Sequence, residues 1–295
     1  MTRRLCVILL CLILLMLCGC TGDQGKYKRI AYDTAAFAEQ QEYLKDDTAI
    51  VYEAKETFSP CLPMYEIEGQ RISHEDYQQM LVNLKLDPDE FLECKREGNQ
   101  LYINLASPTD FSRGFFTMTE AEGEKLAWEL FRKIPFMEGE YECLGVGDTC
   151  RYYDSEGIHI PRAGYVFCRI LDGVPVVGDE SCVLHLDGSG LVAISIRLYD
   201  YENVGTMDLL PLEAAKAKLK SPDDFDIGTA SSQPFAKTVE TLEVDQVSLR
   251  LVNQHSRKCE ILQPVYYFTG EATYADGYEA DFSSKVIAIP ESYTD

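Results

Sequence analysis

Apolar and polar residues alternate along the chain with two different periods, one helical and one of strand type. Between Ser73 and Leu84, the residues Tyr77, Met80, Leu81 and Leu84 recur at i, i+3, i+4 and i+7, which places them on one face of a helix. Ser73 stands at the N-cap position, and Asp87-Pro88-Asp89 closes the far side. Thr119 opens a stronger helix. Glu122 follows at the capping-box spacing, and Leu126, Ala127, Leu130, Phe131 and Ile134 form the apolar side before Pro135 ends it. A short third helix is predicted after Pro211, where Leu212, Ala215 and Leu219 share a face and Ser221-Pro222 stops the run. A thinner helical pattern covers Asp33 to Leu44.

The remaining apolar runs are short, β-branched or aromatic, and separated by turn residues. Phe91–Lys95 and Leu101–Leu105 flank Glu97-Gly98-Asn99, while Gly164–Ile170 and Val174–Val177 flank Asp172-Gly173. Cys182–Leu186 and Leu191–Leu198 flank Asp187-Gly188-Ser189-Gly190, so each pair predicts a hairpin. Tyr141–Leu144 is a further short strand, and Val244–Val252, Ile261–Phe268 and Lys285–Ile289 have meander character with Ala275-Asp276-Gly277 as a turn. The order of helices and strands predicts an α+β fold, with amphipathic helices packed on twisted antiparallel sheets in repeated helix-plus-hairpin or helix-plus-meander units.

The first twenty residues obey a different pattern. Arg3 and Arg4 precede an unbroken apolar run from Leu5 to Cys18. As a helix this run covers roughly 21 Å, short of the ~30 Å hydrocarbon thickness, so it suits an export signal better than a stable span. Leu17-Cys18-Gly19-Cys20 then resembles a lipobox, with small Cys18 in place of the usual Ala or Ser. The expectation is a signal peptide over 1–19, lipid attachment at Cys20, a polar tether over 20–30, and a lipid-anchored protein on the extracytoplasmic face of the cell membrane. An uncleaved membrane anchor is the alternative, and it too leaves the rest of the chain outside the cytoplasm.

Charge and cysteine content narrow the partners. The formal net charge of −22 repels phosphate backbones, so nucleic acid is excluded as a partner class. Of eleven cysteines, Cys6, Cys11 and Cys18 lie in the leader and Cys20 carries lipid, leaving Cys61, Cys94, Cys143, Cys150, Cys168, Cys182 and Cys259. This set is odd in number. Cys143 and Cys150 flank the turn-like Gly145-Val146-Gly147-Asp148, and a local disulfide is expected there if that loop closes.

Catalytic and metal-binding patterns are not found. His74, His159, His185 and His255 are isolated, the cysteine spacings lack the close pairs of a zinc site, and no cofactor is expected. Placing Asp187-Gly188 in a calcium-loop frame puts Val183 and Ile194 at ligand positions, so the run is read as a turn. Gly145-Val146-Gly147 lacks the third glycine of a nucleotide fingerprint, and no nucleophile-elbow or zinc-protease motif occurs. The chain is therefore read as non-enzymatic. Trp128 is expected in the core, and Tyr152-Tyr153 and Tyr199–Tyr201 at sheet edges.

The stretch Gly164-Tyr165-Val166-Phe167-Cys168-Arg169-Ile170-Leu171-Asp172-Gly173-Val174-Pro175-Val176 resembles a segment of YycH/YycI-type regulatory proteins and their PepSY-like relatives. The Asp187–Gly190 hairpin, Tyr199–Val204, the helix after Leu210-Pro211, and Leu262–Phe268 follow in the order that family uses. The resemblance covers roughly Thr119 to Ile289 and divides the chain into an N-terminal α+β region, 31–115, and a region 116–295 that carries the resemblance. It implies regulation of a cell-envelope two-component system by contact with a membrane sensor kinase, without catalysis. Those regulators are usually held by an uncleaved helix, whereas a lipid anchor is expected here. Two other readings stand beside this one, a solute- or peptide-binding lipoprotein and a PepSY-type inhibitor of an exported peptidase. Against the first, the chain lacks the alternating βα units of two-lobed binding proteins.

Overall fold

The computed structural model describes residues 48–107, 111–154, 157–219, 224–227, 239–253 and 260–290. Cys20, the leader and tether, the helix expected over Asp33–Leu44, and the Ser221-Pro222 stop lie outside them. The fold is α+β, as the pattern predicts. In chain order the elements are β1 (Ala49–Tyr52), β2 (Cys61–Gly69), α1 (His74–Leu84), β3 (Glu93–Glu97), β4 (Gln100–Asn104), α2 (Glu120–Phe131), β5 (Glu140–Asp154) and β6 (Gly157–Leu171). There follow β7 (Val174–Gly178), β8 (Ser181–Asp187), β9 (Gly190–Arg197), β10 (Tyr199–Asp208), α3 (Leu212–Lys218), β11 (Asp224–Ile227), β12 (Val239–Asn253), β13 (Gln263–Tyr274) and β14 (Glu279–Ile287).

These elements gather into two compact units, each assembled from separated stretches of chain. The division does not fall at the boundary expected near residue 115, because α1, β3 and β4 belong with α2 and β5–β9. One unit, here the helical unit, comprises Ile67–Glu202 together with Leu251–Glu260. The other, the meander unit, comprises the chain up to Glu66, Asn203–Arg250 and the chain from Ile261 onward.

In the helical unit the strands run in the order β7-β6-β8-β9-β4-β3, with β5 also paired to β6. Successive neighbours are antiparallel, as in Leu101 opposite Ile196 and Val183 opposite Ser195. The last residues of β12 add a parallel partner, Leu251–Asn253 lying opposite Val176–Gly178. Alternation along each strand sends Leu101, Ile103, Tyr165, Phe167, Leu184, Ile194 and Ile196 to one face, where they meet Met80, Leu81 and Leu84 of α1 and Ala127 and Phe131 of α2. Both helices begin as the sequence predicts. The Ser73 hydroxyl accepts from the Asp76 backbone N–H at 3.0 Å, and Thr119 and Glu122 exchange both bonds of a capping box.

In the meander unit β11, β14, β13 and β12 are successive neighbours, and β1 runs parallel to β12 with Ala49 opposite Thr241. Helix α3 presents Ala215 to the interior, where Leu219, Leu242, Val244, Val265, Tyr266, Phe268 and Val286 are also buried. The Tyr266 hydroxyl donates to the Leu210 carbonyl at 3.0 Å, fixing the approach to α3. Met64, Met207 and Ile261 form a smaller cluster of the same unit.

Candidate functional site

The segment that carries the resemblance folds into a continuous strand, turn and strand, and its side chains divide between core and clamp. Tyr165 and Phe167 are wholly buried, and Phe167 stacks on Phe131 with ring centroids 4.4 Å apart. Asp172 and Gly173 take positive φ angles of 47° and 77°, the geometry of a two-residue hairpin turn. Arg169, two residues beyond Phe167 on the same strand face and opposite Tyr141, is half-buried at the edge of this core. Its guanidinium donates to the Tyr199 carbonyl at 3.2 Å and stands 5.6 Å from the centre of the Tyr201 ring.

Beyond the turn, β7 ends at Gly178, whose φ of 107° and close approach to β12 leave no room for a side chain. A Cβ there would fall 2.2 Å from the Asn253 carbonyl oxygen. The chain turns at this point, Asp179 donates its backbone N–H to that same carbonyl at 2.9 Å, and Glu180 is directed inward. Glu180 is only 2% exposed. Its carboxylate accepts a short hydrogen bond from the Tyr201 hydroxyl, and Asn253 Nδ2 donates to the same hydroxyl at 2.9 Å. Glu180 Oε1 has no hydrogen-bond partner among the described residues. The order of the chain is thus Asn253 to Tyr201 to Glu180, three side chains from three strands or strand ends.

Burial dominates the electrostatics. Removal from water pushes the Glu180 carboxyl from the ordinary 4.5 up to about 7, against the opposing pull of the Tyr201 hydrogen bond, Arg169 and the Tyr199 backbone N–H. Tyr201 is pushed far up by burial and then by the facing Glu180, so its hydroxyl remains a donor throughout the physiological range. Tyr141, on β5, is raised by burial and by the same carboxylate. The cluster can hold a proton near neutrality. Glu180 is closed off beneath Tyr201, so desolvation favours its neutral form.

Hollows open on the helical unit among the described residues. One, of about 300 Å³, lies on the sheet face opposite the helices and is lined by Lys95, Tyr102, Asp179, Ser181, Ser195 and Arg197. Its cations are matched by carboxylates, Arg197 to Asp179 at 3.5 Å and Lys95 to Glu93 at 2.5 Å. The other, of about 480 Å³, is lined by Phe116, Met118, Val146, Ile160 and Ala163 together with Glu120.

The positions singled out in the sequence do not converge on one site. Cys20 lies outside the described residues. The turn expected between Cys143 and Cys150 is not formed: β5 runs through both, taking up Gly145 at φ 89° with shifts of register on either side of Val146. Cys143 lies opposite Phe167 and Cys150 opposite Arg162. Five residues of β6 at ~3.3 Å each separate those partners by ~16 Å, well past the ~7 Å between Cα atoms that a disulfide spans. Cys143 is an unbridged thiol, pushed up by burial with the Gly145 N–H opposing. Trp128 packs edge-on against Phe167 at 4.8 Å and Phe131 at 5.5 Å, as expected of a core residue. Of the tyrosines expected at sheet edges, Tyr201 is instead an inward hydrogen-bond donor. Glu180 and Asn253 carry no sequence signal, since neither belongs to a motif.

No family model matches the chain, and no curated protein matches it. A solved structure, that of YycH from Bacillus subtilis, is similar with a TM-score of 0.40 and 11% identity, over 78% of this chain and 51% of the other. The chain thus spans about half the length of that protein.

Proposed function

We propose that this protein is a lipid-anchored extracytoplasmic regulator that acts on a membrane sensor kinase by protein contact and performs no bond-making chemistry. The observation that carries the reading is the Gly164–Val176 segment, joined in one sequence with the Leu17–Cys20 pattern of a lipidated export signal. The disposition of that segment supports it. Tyr165, Phe167 and Val176 are spent on the core, and Arg169 on holding Tyr199 and Tyr201, which is the use expected of a scaffold for a recognition surface. Among the described residues, the carboxyl pushed furthest up by burial, Glu180, is sealed under Tyr201. A regulator of this kind alters its partner's output only through different affinity for the partner's two states.

Affinity capture of the full lipidated chain from intact membranes, followed by identification of what is retained, tests the proposal. A membrane sensor kinase is the expected capture, and deletion of the protein is expected to change that kinase's output until the lipidated chain is restored. A single Asp→Asn or Glu→Gln change that abolishes activity while leaving folding and capture intact would overturn the non-catalytic reading.

A further inference from the structure

Glu180 is placed where a carboxylate is hard to keep. It sits at the β7–β8 junction with one oxygen held by Tyr201 and the other, Oε1, buried without a partner among the described residues. The groups that face it are Tyr141 on β5, Arg169 on β6, and Tyr199, Asp200 and Tyr201 on β10, of which only Arg169 is cationic. Asn253 closes the side toward β12 and is neutral. A neutral carboxyl still accepts from Tyr201 through its carbonyl oxygen. An ionised one demands solvent at Oε1, and solvent reaches it only if the junction opens.

We propose that the junction from Gly178 to Ser181 is a proton-controlled latch: with Glu180 neutral it holds Tyr201 and Asn253 closed upon it, and ionisation of Glu180 releases them. The direction follows from the linkage between protonation and folding. Because the folded protein keeps the proton to about pH 7 and an unfolded chain loses it near 4.5, the stabilising contribution is complete below pH 4.5 and falls away as pH rises to about 7. The neighbours report the change. Asp179 and Ser181 line the groove that also holds Arg197, so opening alters a surface hollow as well as the interior. The latch is independent of which partner the protein has.

The test compares the full chain with a Glu180→Gln variant, which keeps an acceptor for Tyr201 and cannot ionise. Hydrogen exchange, corrected for the intrinsic rate at each pH, is followed for peptides spanning 178–182 and 199–203 at pH 5 and pH 8. The expected result is loss of protection at pH 8 in the parent and none in the variant. In denaturant melts, the parent is expected to lose on the order of a hundred-fold in its folding equilibrium relative to the variant between those pH values. Equal protection at both pH values in the parent, or the same pH-dependent loss in both proteins, overturns the latch. Should Glu180→Gln not fold, Tyr201→Phe serves instead. It removes the donor that favours the carboxylate, so the transition moves to higher pH, and an unmoved or lowered midpoint counts against the proposal.

Discussion

Gly123 lies in the first turn of α2, facing β6. A Cβ there would fall 1.9 Å from the Tyr165 hydroxyl and 2.8 Å from the Phe116 ring, and Tyr165 is fully buried. Helix propensity alone favours alanine by ~1 kcal/mol at such a position, whereas forcing a methyl group into a filled space costs ~1–3 kcal/mol. Gly123→Ala is therefore expected to lower stability, and a denaturant melt with a raised midpoint would refute the close packing. The thiols offer a second check at the same scale. Cys94 is exposed, whereas Cys182 is fully buried with its pKa held far up by desolvation. A maleimide is expected to label Cys94 in the native protein and Cys182 only after unfolding, and peptide mapping without reduction is expected to find no Cys143–Cys150 bridge.

The capping box makes α2 the element best specified by local sequence. Thr119→Ala removes the acceptor for the Glu122 N–H and is expected to cost ~1 kcal/mol in a chemical melt, while Thr119→Ser restores most of it. Caps and two-residue turns are local, which is why Ser73, Thr119, Asp172-Gly173 and Asp187–Gly190 were legible. The last of these has a further explanation that no periodicity contains. Asp187 accepts from Arg113 at 2.5 Å and from the Ser189 N–H at 2.8 Å, and a Cβ on Gly188 would strike Gly114 at 2.8 Å. The misreadings have a common physical source. The sequence pattern predicts only a short strand over Tyr141–Leu144 because Gly145 and Gly147 look like a turn, yet β5 continues over fifteen residues by taking the glycine into a bulge, which only pairing with β6 can reward. Glu180 has no local signature, because its meaning lies in Tyr201 and Asn253, 21 residues and a further 52 residues along the chain.

At the scale of the whole molecule, the lipid attachment proposed at Cys20 makes the most direct prediction. Cys20→Ala is expected to yield an unprocessed, unlipidated precursor of higher mass, and a variant processed and membrane-held like the parent would refute the lipobox. Charge acts at this scale too. The carboxyl of Glu271 is raised first by Glu279, then by slight desolvation and by Glu243, Asp245 and Asp281, so added salt is expected to raise the melting temperature by screening that repulsion. The assembly of both units from separated stretches has a consequence for how the protein is made. A polypeptide leaves the ribosome from its N-terminal end, and neither unit is complete until the last third has emerged: β7 waits for Leu251–Asn253, and β1 for its partner beginning at Thr241. During synthesis both units therefore remain unfinished until the last third of the chain has emerged. A frameshift as late as the codon for Leu251 is accordingly expected to leave both units incomplete, one without Leu251–Glu260 and the other without everything from Ile261 onward.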